Sequence, residues 1–324
     1  MQQFCCSLIV CLLSLVHLPA QAEWLRESQD KMGTRVTITL WHEDEKQGAE
    51  LVRQGMAEFD RIEQAMSTYI DDTELSEVNR HAAERPVAVS ADLFGLLQTA
   101  LKLSRLTDGG FDITYDSVGY LYDYRESQRP DDQAIATGLA AVNYRLVVLD
   151  PANSTVRFKQ PGVRVNLGGI AKGHSVEQVI SLLRNAGVQY ASATAGGDTR
   201  ILGDRRGVPW VIGIRHPDRD DEVVTRLPVI DEAVSTSGDY ERFFIEDGER
   251  YHHILNPASG KPTKGVRSVT ILGPDGTLTD GLSTSVFVLG VEQGLDLIAG
   301  MPGYEAVIIG ADGRMFYSDG LLAQ

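Results

Sequence analysis

A glycine-rich stretch at residues 165–174 contains residue types that can bind an anion. Its sequence, Val-Asn-Leu-Gly-Gly-Ile-Ala-Lys-Gly-His, predicts the end of a buried strand, a turn at Gly168 and Gly169, and the start of a helix. Glycines permit close backbone approach. Lys172 and the free N–H groups of a helix start would face an anion at this turn. The alternative is purely steric, because strand-to-helix turns often carry two glycines for packing.

A second candidate lies far downstream, at residues 278–284. Asp280 and Thr284 are four residues apart and would share one face of a helix. A carboxylate and a hydroxyl are hard oxygen donors of the kind that Mg²⁺ prefers, although the same pair is common as a helix cap and a surface residue. Together with the glycine stretch, the pair predicts a phosphate and metal site built from two distant parts of the chain.

His253 is a weaker candidate by its pattern alone. It follows His252 after a predicted hairpin. Neighbouring residues of a strand point to opposite faces, so one ring would lie inside and one outside for structural reasons alone.

Composition limits the kind of ligand and how it is held. The chain has 324 residues, of which 43% are hydrophobic, and a formal net charge of −15. At ~100–200 residues per domain, this length allows two domains or one large unit. The acidic balance argues against a nucleic-acid-binding surface. A polyanionic ligand must therefore be held locally, by backbone N–H groups, a few basic side chains or a divalent cation.

Residues 1–22 are predicted to form a secretory signal peptide. They contain no charged side chain, are mostly apolar from Phe4 to Leu18, and end in Ala20-Gln21-Ala22, which predicts cleavage before Glu23 and a periplasmic protein. The alternative is an uncleaved anchor that keeps the chain at the inner membrane, although the apolar run is short for a span of ~20 residues. The three cysteines all lie in this segment, so the mature chain would have no disulfide and no thiolate metal site.

The elements that must position these residues alternate between strands, hairpins and helices. A strand is predicted at Thr34–Leu40, a hairpin at Asp247-Gly248, and helices at Glu45–Met66, His174–Ala186 and Thr279–Leu289. No internal repeat or linker divides the chain. We therefore expect residues 23–324 to form a single α+β domain, with mixed or antiparallel sheets and flanking helices.

Eight short motifs occur in the order typical of one known family and cover almost all of the mature chain. The first residues of each motif, in chain order, are Met32-Gly33-Thr34, Ser67-Thr68-Tyr69, Phe111-Asp112-Ile113-Thr114, Leu167-Gly168-Gly169, Gly196-Gly197-Asp198, Ser235-Thr236-Ser237-Gly238-Asp239-Tyr240, His253-Ile254-Leu255-Asn256-Pro257 and Asp280. The chain resembles the ApbE-type FAD:protein FMN transferases. The resemblance implies an ApbE-like, T-fold-type architecture.

The resemblance also implies an activity. FAD would be the substrate and Mg²⁺ the cofactor. The enzyme would cleave the FAD pyrophosphate, transfer FMN to a Thr or Ser hydroxyl of a target protein and release AMP. Targets would be flavoprotein subunits of sodium-translocating NADH:quinone oxidoreductase (Nqr) or Rnf-type complexes. This agrees with a signal peptide.

Residue roles follow by position. Asp280 and Thr284 would bind Mg²⁺ by their side chains, and Gly169 by its carbonyl. His253 would help to activate the acceptor hydroxyl, since a neutral histidine with an ordinary pKa of ~6.5 can accept a proton near pH 7. The FAD site would be lined by Met32, Tyr69, Gly110, Phe111, Asp112, Asn166, Lys172 and Ile254.

Three departures from the family pattern bear on the site. Asn166 stands where Asp is common, and Asn256 where Asp commonly precedes proline. Tyr115-Asp116-Ser117 replaces the usual Val-Gly-Pro, and Tyr122 the usual Trp. The flavin contacts near these residues are therefore expected to differ.

Two other functions use the same residues. With water as acceptor, the site would be an Mg²⁺-dependent FAD pyrophosphatase that yields FMN and AMP. Without catalysis, the chain would store or deliver a flavin. Asp280, Thr284 and His253 argue against mere binding, which needs no metal.

Overall fold

The computed structural model describes residues 23–322, so the predicted signal peptide lies outside the described residues. The α-helices, α1 to α9 in chain order, are Glu45–Met66, Glu74–His81, Ala91–Leu106, Asp116–Gly119, Asp132–Leu139, Ala171–Asn185, Gly276–Leu289, Val291–Ala299 and Asp319–Leu322. Short 3-10 helices lie at Ile113–Tyr115 and Tyr144–Leu146. No helix within 23–322 combines the length and the hydropathy needed to cross a membrane.

The strands, β1 to β17, alternate with these helices. They are Glu23–Lys31, Thr34–His42, Val87–Ala88, Val147–Asp150, Thr155–Phe158, Ala191–Ala195, Asp198–Leu202, Trp210–His216, Arg219–Val229, Ala233–Gly238, Phe243–Glu246, Glu249–His252, Leu255–Asn256, Lys261–Pro262, Val266–Gly273, Glu305–Gly310 and Met315–Tyr317. Within residues 23–322, eight of them form one sheet in the order β1-β2-β6-β7-β10-β15-β16-β17. Every pairing in this sheet is antiparallel.

Helix ends follow their local signals. Asp44 caps α1 by accepting hydrogen bonds from the N–H groups of Lys46 and Gln47, and Ser90 caps α3 through the N–H of Leu93. Such caps satisfy N–H groups that have no partner inside the helix. The predicted bounds of α1 agree with the structure.

The sheet is covered on both faces. On one face, Val36, Ile38 and Leu40 of β2 pack against α1 and α6 in a buried cluster. On the opposite face, Ile201 and Val234 lie under the β8–β9 hairpin. The predicted α+β class is thus confirmed, with antiparallel sheets and flanking helices. The extent of the single domain stays a prediction.

Several local predictions were wrong. Residues 163–167 form no strand, because the Asn79 side chain takes the place of a neighbouring strand: its Nδ2 donates to the Val165 carbonyl at 2.9 Å and its Oδ1 accepts from the Val165 N–H at 2.8 Å. The segment after Phe111 forms a short 3-10 helix capped by Asp112.

Two helices also begin earlier than predicted. Helix α6 begins at Ala171 rather than His174. Helix α7 begins at Gly276 rather than Thr279, because Asp275 caps it by accepting from the Leu278 N–H at 2.8 Å. In both cases the helix start lies where α6 and α7 cross.

Candidate active site

Helices α6 and α7 cross at two glycines. A Cβ atom on Gly173 would lie 2.1 Å from the carbonyl oxygen of Gly276 and 2.4 Å from the Cβ of Asp280. Only a residue without a side chain fits there. The close crossing brings the start of α6 against Asp280 on the second turn of α7.

The first anion at the start of α6 is a carboxylate of the protein itself. Oδ2 of Asp280 accepts a hydrogen bond from the Gly173 N–H at 2.8 Å. The N-cap residue Ile170 supplies no side-chain cap of its own. The helix start was predicted to face an anion, and within the protein this anion is Asp280.

Lys172 joins two buried carboxylates. Its Nζ pairs with Oδ2 of Asp198 and lies 3.7 Å from Oδ2 of Asp280. Burial lowers the pKa of Lys172, but the charges of Asp198 and Asp280 outweigh burial and raise it. The pKa of Asp280 is raised, first by burial and then by the Asp198 charge. Lys172 was predicted as a phosphate ligand, and here its charge is already shared between carboxylates.

A hard cation fits this place. Oδ1 of Asp198 is buried and has no hydrogen-bond partner among the described residues. Thr284 lies one turn after Asp280, with its Oγ1 3.3 Å from Oγ of Ser237. Gly169 lies against it, since a Cβ there would be 3.1 Å from the Thr284 Oγ1. Carboxylate, hydroxyl and carbonyl oxygens suit Mg²⁺. Residues 23–322 contain no cluster of three or more His, Cys, Asp or Glu with metal-binding geometry, but this donor set does not require one.

His253 ends the β11–β12 hairpin beside this cluster. Its N–H donates to the Arg242 carbonyl at 3.1 Å, and its Nδ1 lies 3.3 Å from the same oxygen. A carbonyl only accepts, so Nδ1 carries the proton of the neutral ring and Nε2 keeps its lone pair. The pKa of His253 is lowered to about 3, by burial first and then by the charge of Arg242. The ring is therefore neutral at pH 7, but it is a weaker base than the ordinary histidine expected from the sequence.

Loops lie across from the cluster of Lys172, Asp198 and Asp280, and the region between the cluster and the loops is called the recess. Met32 and Gly33 form the two-residue turn between β1 and β2, both with positive φ, as in a type I′ turn. Arg242 reaches this turn, with its Nη2 donating to the Gly33 carbonyl at 3.4 Å. Tyr69 is 82% exposed on the loop after α1. An exposed aromatic ring at a recess can stack on a flat ligand.

Asn166 and Asp116 are direct neighbours. Nδ2 of Asn166 donates to Oδ1 of Asp116 at 3.2 Å and to Oγ1 of Thr68 at 3.2 Å. Oδ1 of Asn166 accepts from the Gly168 N–H at 2.7 Å. Asp116 is buried, which raises its pKa, while Arg164 opposes this shift. Positions 166 and 116, which both depart from the family pattern, are therefore in contact. An Asp at position 166 would place two carboxylates side by side.

The remaining predicted flavin contacts are mostly buried. Asp112 is fully engaged, accepting from Thr114 and from the Tyr144 N–H at 2.7 Å. Phe111 and Ile254 belong to the main core. A Cβ on Gly110 would lie 3.0 Å from Leu289. These residues lie behind the site, and both carboxylate oxygens of Asp112 already accept hydrogen bonds within the protein.

Sequence reasoning missed three side chains of the site. Asp198 lay within a quoted motif, Gly196-Gly197-Asp198, so its signal was present. Arg242 gave no signal, and Tyr115 was noted only as a departure from the family pattern, with no role assigned to it. They enter the site only because β11 and the 3-10 helix at 113–115 converge on it.

Comparisons agree with this geometry. The ApbE family model matches residues 32–308. The FAD:protein FMN transferase of Vibrio cholerae is 32% identical over 295 residues, covering 88% of this chain and 87% of its own. That of Treponema pallidum is 34% identical over 278 residues, covering 80% and 77%. The crystal structure of the ApbE protein from Thermotoga maritima superimposes with a TM-score of 0.85 at 32% identity, covering 93% of this chain and 99% of that one.

The fold and these relatives thus define a flavin transferase type of protein. The chain belongs to the ApbE family.

Proposed function

We propose that this protein is an FAD:protein FMN transferase that uses Mg²⁺ and releases AMP. The observation that carries the proposal is the meeting of two groups of residues. The Lys172, Asp198 and Asp280 cluster lies on one side of the recess, and the neutral His253 on the other. The names of the relatives from Vibrio cholerae and Treponema pallidum support the same reaction.

The reaction forms one P–O bond and breaks another. The acceptor hydroxyl oxygen attacks the phosphorus on the FMN side of the pyrophosphate, and the bond to the AMP oxygen breaks, with AMP taking the electron pair. The hydroxyl proton goes to Nε2 of His253, whose other nitrogen is held by the Arg242 carbonyl.

The charged residues of the site would hold the cation and the diphosphate together. Asp280 and Thr284, with the carbonyl of Gly169, would hold Mg²⁺. When bound, Mg²⁺ neutralises the phosphate oxygens and stabilises the charge that develops during displacement. Lys172 keeps Asp280 oriented. Arg242 has no carboxylate partner in residues 23–322 and is free to contact a phosphate.

The location and the acceptor remain proposals of the same kind. We propose export to the periplasm through the predicted signal peptide at residues 1–22. The acceptor would be a flavoprotein subunit of Nqr or Rnf type, with a Thr or Ser at the flavin attachment site.

The deciding experiment supplies FAD and Mg²⁺ with the recombinant flavin-carrying domain of an Nqr subunit. AMP release is measured together with flavin fluorescence of the acceptor on a denaturing gel. AMP with a fluorescent acceptor supports the transferase. AMP and free FMN without labelling, also with a second acceptor of Rnf type, would mean a pyrophosphatase. Bound FAD without AMP would mean a binding protein.

The variant Asp280→Ala should abolish AMP release. The matched control is Asp275→Asn, which removes a carboxylate from the same helix but keeps the cap on Leu278. Undiminished turnover in Asp280→Ala would disprove the metal assignment. The variant His253→Ala should slow transfer far more than it weakens FAD binding, and an equal loss of both would make His253 structural.

A further inference from the structure

Asn166 binds the glycine turn through its side chain. Its Oδ1 accepts a hydrogen bond from the Gly168 N–H at 2.7 Å. A side-chain oxygen that accepts from the N–H two residues further on takes the place of a backbone bond in a turn. Gly168 and Gly169 have no side chains that could fix the turn by packing, and glycine has the widest choice of backbone dihedrals. The bond from Asn166 therefore restricts dihedrals that the glycines themselves leave open.

Asp116 determines which way the Asn166 amide points. Nδ2 of Asn166 donates to Oδ1 of Asp116 and to Oγ1 of Thr68, both at 3.2 Å. An ionised carboxylate only accepts and a backbone N–H only donates, so turning the amide over would break its bonds to Asp116 and Gly168 together. Both N–H groups of the amide are engaged by the protein. Asn166 thus has no donor left for a ligand.

Asp116 is held in turn by Arg164. The carboxylate is buried, and its Oδ2 accepts from Nε of Arg164 at 3.2 Å. Burial raises the pKa of Asp116, and the charge of Arg164 opposes this rise and favours the ionised form. The Arg164 guanidinium also lies 4.7 Å from the centre of the Tyr120 ring. A chain of hydrogen bonds thus runs from Arg164 through Asp116 and Asn166 to Gly168, and each member orients the next.

The other end of the turn meets the proposed metal ligands. A Cβ atom on Gly169 would lie 3.1 Å from Oγ1 of Thr284. Helix α6 begins two residues later at Ala171, whose N–H donates to the Leu167 carbonyl at 2.8 Å. The turn is therefore fixed by α6 on one side and by the Asn166 side chain on the other. The direction of the Gly169 carbonyl depends on the dihedrals between these two points.

We propose that Asp116 and Asn166 are positioning residues for the metal site, which hold the glycine turn so that the Gly169 carbonyl points at the cation. They act through the turn and not by contact with the cation. The inference rests on the proposed function, which places Mg²⁺ between Gly169, Asp280 and Thr284. Replacing residues that orient metal ligands by hydrogen bonds typically lowers metal affinity ~10- to 100-fold.

Binding of Mn²⁺ alone tests the inference without turnover. Mn²⁺ takes the same hard oxygen donors as Mg²⁺, and EPR of the free ion gives its dissociation constant in the absence of FAD. Asn166→Ala removes the acceptor for the Gly168 N–H without changing the net charge. We expect it to weaken Mn²⁺ binding about tenfold or more. A Kd equal to that of the wild type would overturn the inference.

Ser117→Ala is the matched control. Ser117 is buried next to Asp116, where its Oγ accepts from the Arg164 N–H at 3.0 Å and donates to the Ala141 carbonyl at 3.3 Å. Neither bond involves Asn166. Urea unfolding should show that Ser117→Ala is less stable than the wild type, while its Mn²⁺ affinity stays unchanged. If Mn²⁺ affinity falls equally in Ser117→Ala and Asn166→Ala, the role of Asn166 is merely structural.

Exchanging the two side chains tests the orientation. In the double variant Asn166→Asp with Asp116→Asn, the carboxylate at position 166 can accept from the Gly168 N–H, and the amide at position 116 can donate to that carboxylate. The net charge is unchanged. We expect the double variant to keep most of the wild-type Mn²⁺ affinity, unlike Asn166→Ala. A loss as large as that of Asn166→Ala would contradict the proposed role of the hydrogen-bond chain.

Amide hydrogen exchange decides the question if Asn166→Ala does not fold. In the metal-free wild type, the Gly168 amide should exchange about tenfold or more slowly than an unprotected amide, because Asn166 holds its proton. Unprotected exchange at Gly168 would overturn the inference without any variant.

The outcomes separate this inference from the proposed function. If the wild type binds no Mn²⁺, the metal part of the proposed function is wrong, and the inference fails with it. If the wild type binds Mn²⁺ and transfers FMN while Asn166→Ala has the wild-type Kd for Mn²⁺, only the positioning role fails.

Discussion

The two sides of the recess are built differently. The side that holds Lys172, Asp198 and Asp280 lies on helices and central strands, and its side chains are bound to each other. The opposite side consists of turns and loops, with Tyr69 largely exposed and Met32 in a strained turn conformation. The first side will be called the frame side and the second the loop side.

The difference follows from what each side must do. A diphosphate and a cation demand fixed charges in fixed places, and buried charges are tolerated only when they are paired. A flavin or adenine ring demands a flat apolar surface, which a loop can supply at little cost. We therefore expect changes on the frame side to affect stability and reaction together, and changes on the loop side to affect ligand affinity alone.

The largest effect is expected for Phe287→Ala on α7. Phe287 is fully buried two turns after Asp280 and its ring meets that of His252 at 5.7 Å. Truncation leaves a cavity and should lower the free energy of unfolding by about 3–5 kcal/mol. Urea unfolding measures this loss. A loss below 1 kcal/mol would show that the frame side is not the rigid part.

The glycine crossing gives the next largest effect. Gly173→Ala places a Cβ 2.1 Å from the Gly276 carbonyl oxygen and should destabilise by about 1–3 kcal/mol, with lower activity because Asp280 is displaced. Gly95→Ala is the control on α3, where a Cβ meets nothing within 4 Å. It should instead stabilise by about 0.5–1 kcal/mol. An equal change in the free energy of unfolding for Gly173→Ala and Gly95→Ala would contradict the steric argument.

The Asn166 and Asp116 contact lies at the border of the two sides. Asn166→Asp puts two carboxylates in contact and should cost about 2 kcal/mol through repulsion or an unpaired buried group. Adding Asp116→Asn should restore most of that loss. A double-mutant cycle by urea unfolding measures the coupling, and additive losses would show that the two residues do not interact.

Tyr69→Ala should have a smaller effect, on affinity only. The ring is exposed, so the free energy of unfolding should change by no more than about 0.5 kcal/mol. Loss of stacking should weaken FAD binding about five- to tenfold. Flavin fluorescence titration gives the affinity, and a destabilised Tyr69→Ala variant with normal FAD affinity would contradict the comparison.

The smallest spectroscopic change is expected when the His253 ring is followed from pH 8 to pH 5. The pKa of His253 is about 3, against ~6.5 in the unfolded chain, so its ring stays neutral between pH 8 and 5. The stability that this ring contributes is complete above pH 6.5 and is lost as the pH falls from 6.5 towards 3. NMR of the His253 ring, assigned with His253→Ala, should show no titration near pH 6.5.

Much of the frame could be predicted from the chain. The predicted bounds of α1 agree with the structure because its cap, Asp44, acts within one turn. The Asp247-Gly248 hairpin agrees as well. By contrast, the strand expected before Gly168 does not form, since Asn79, distant in sequence, takes its hydrogen bonds. Such a partner has no local signature.

By itself, the sequence determined the family, the α+β class and the residue types that can hold a cation and accept a proton. These features depend on the types of residue and their spacing along the chain, which the sequence shows directly. Only the tertiary structure decided that Asp280 caps α6 and shares Lys172 with Asp198. It alone joined Asn166 to Asp116. These are contacts between distant segments, and packing rather than pattern determines them.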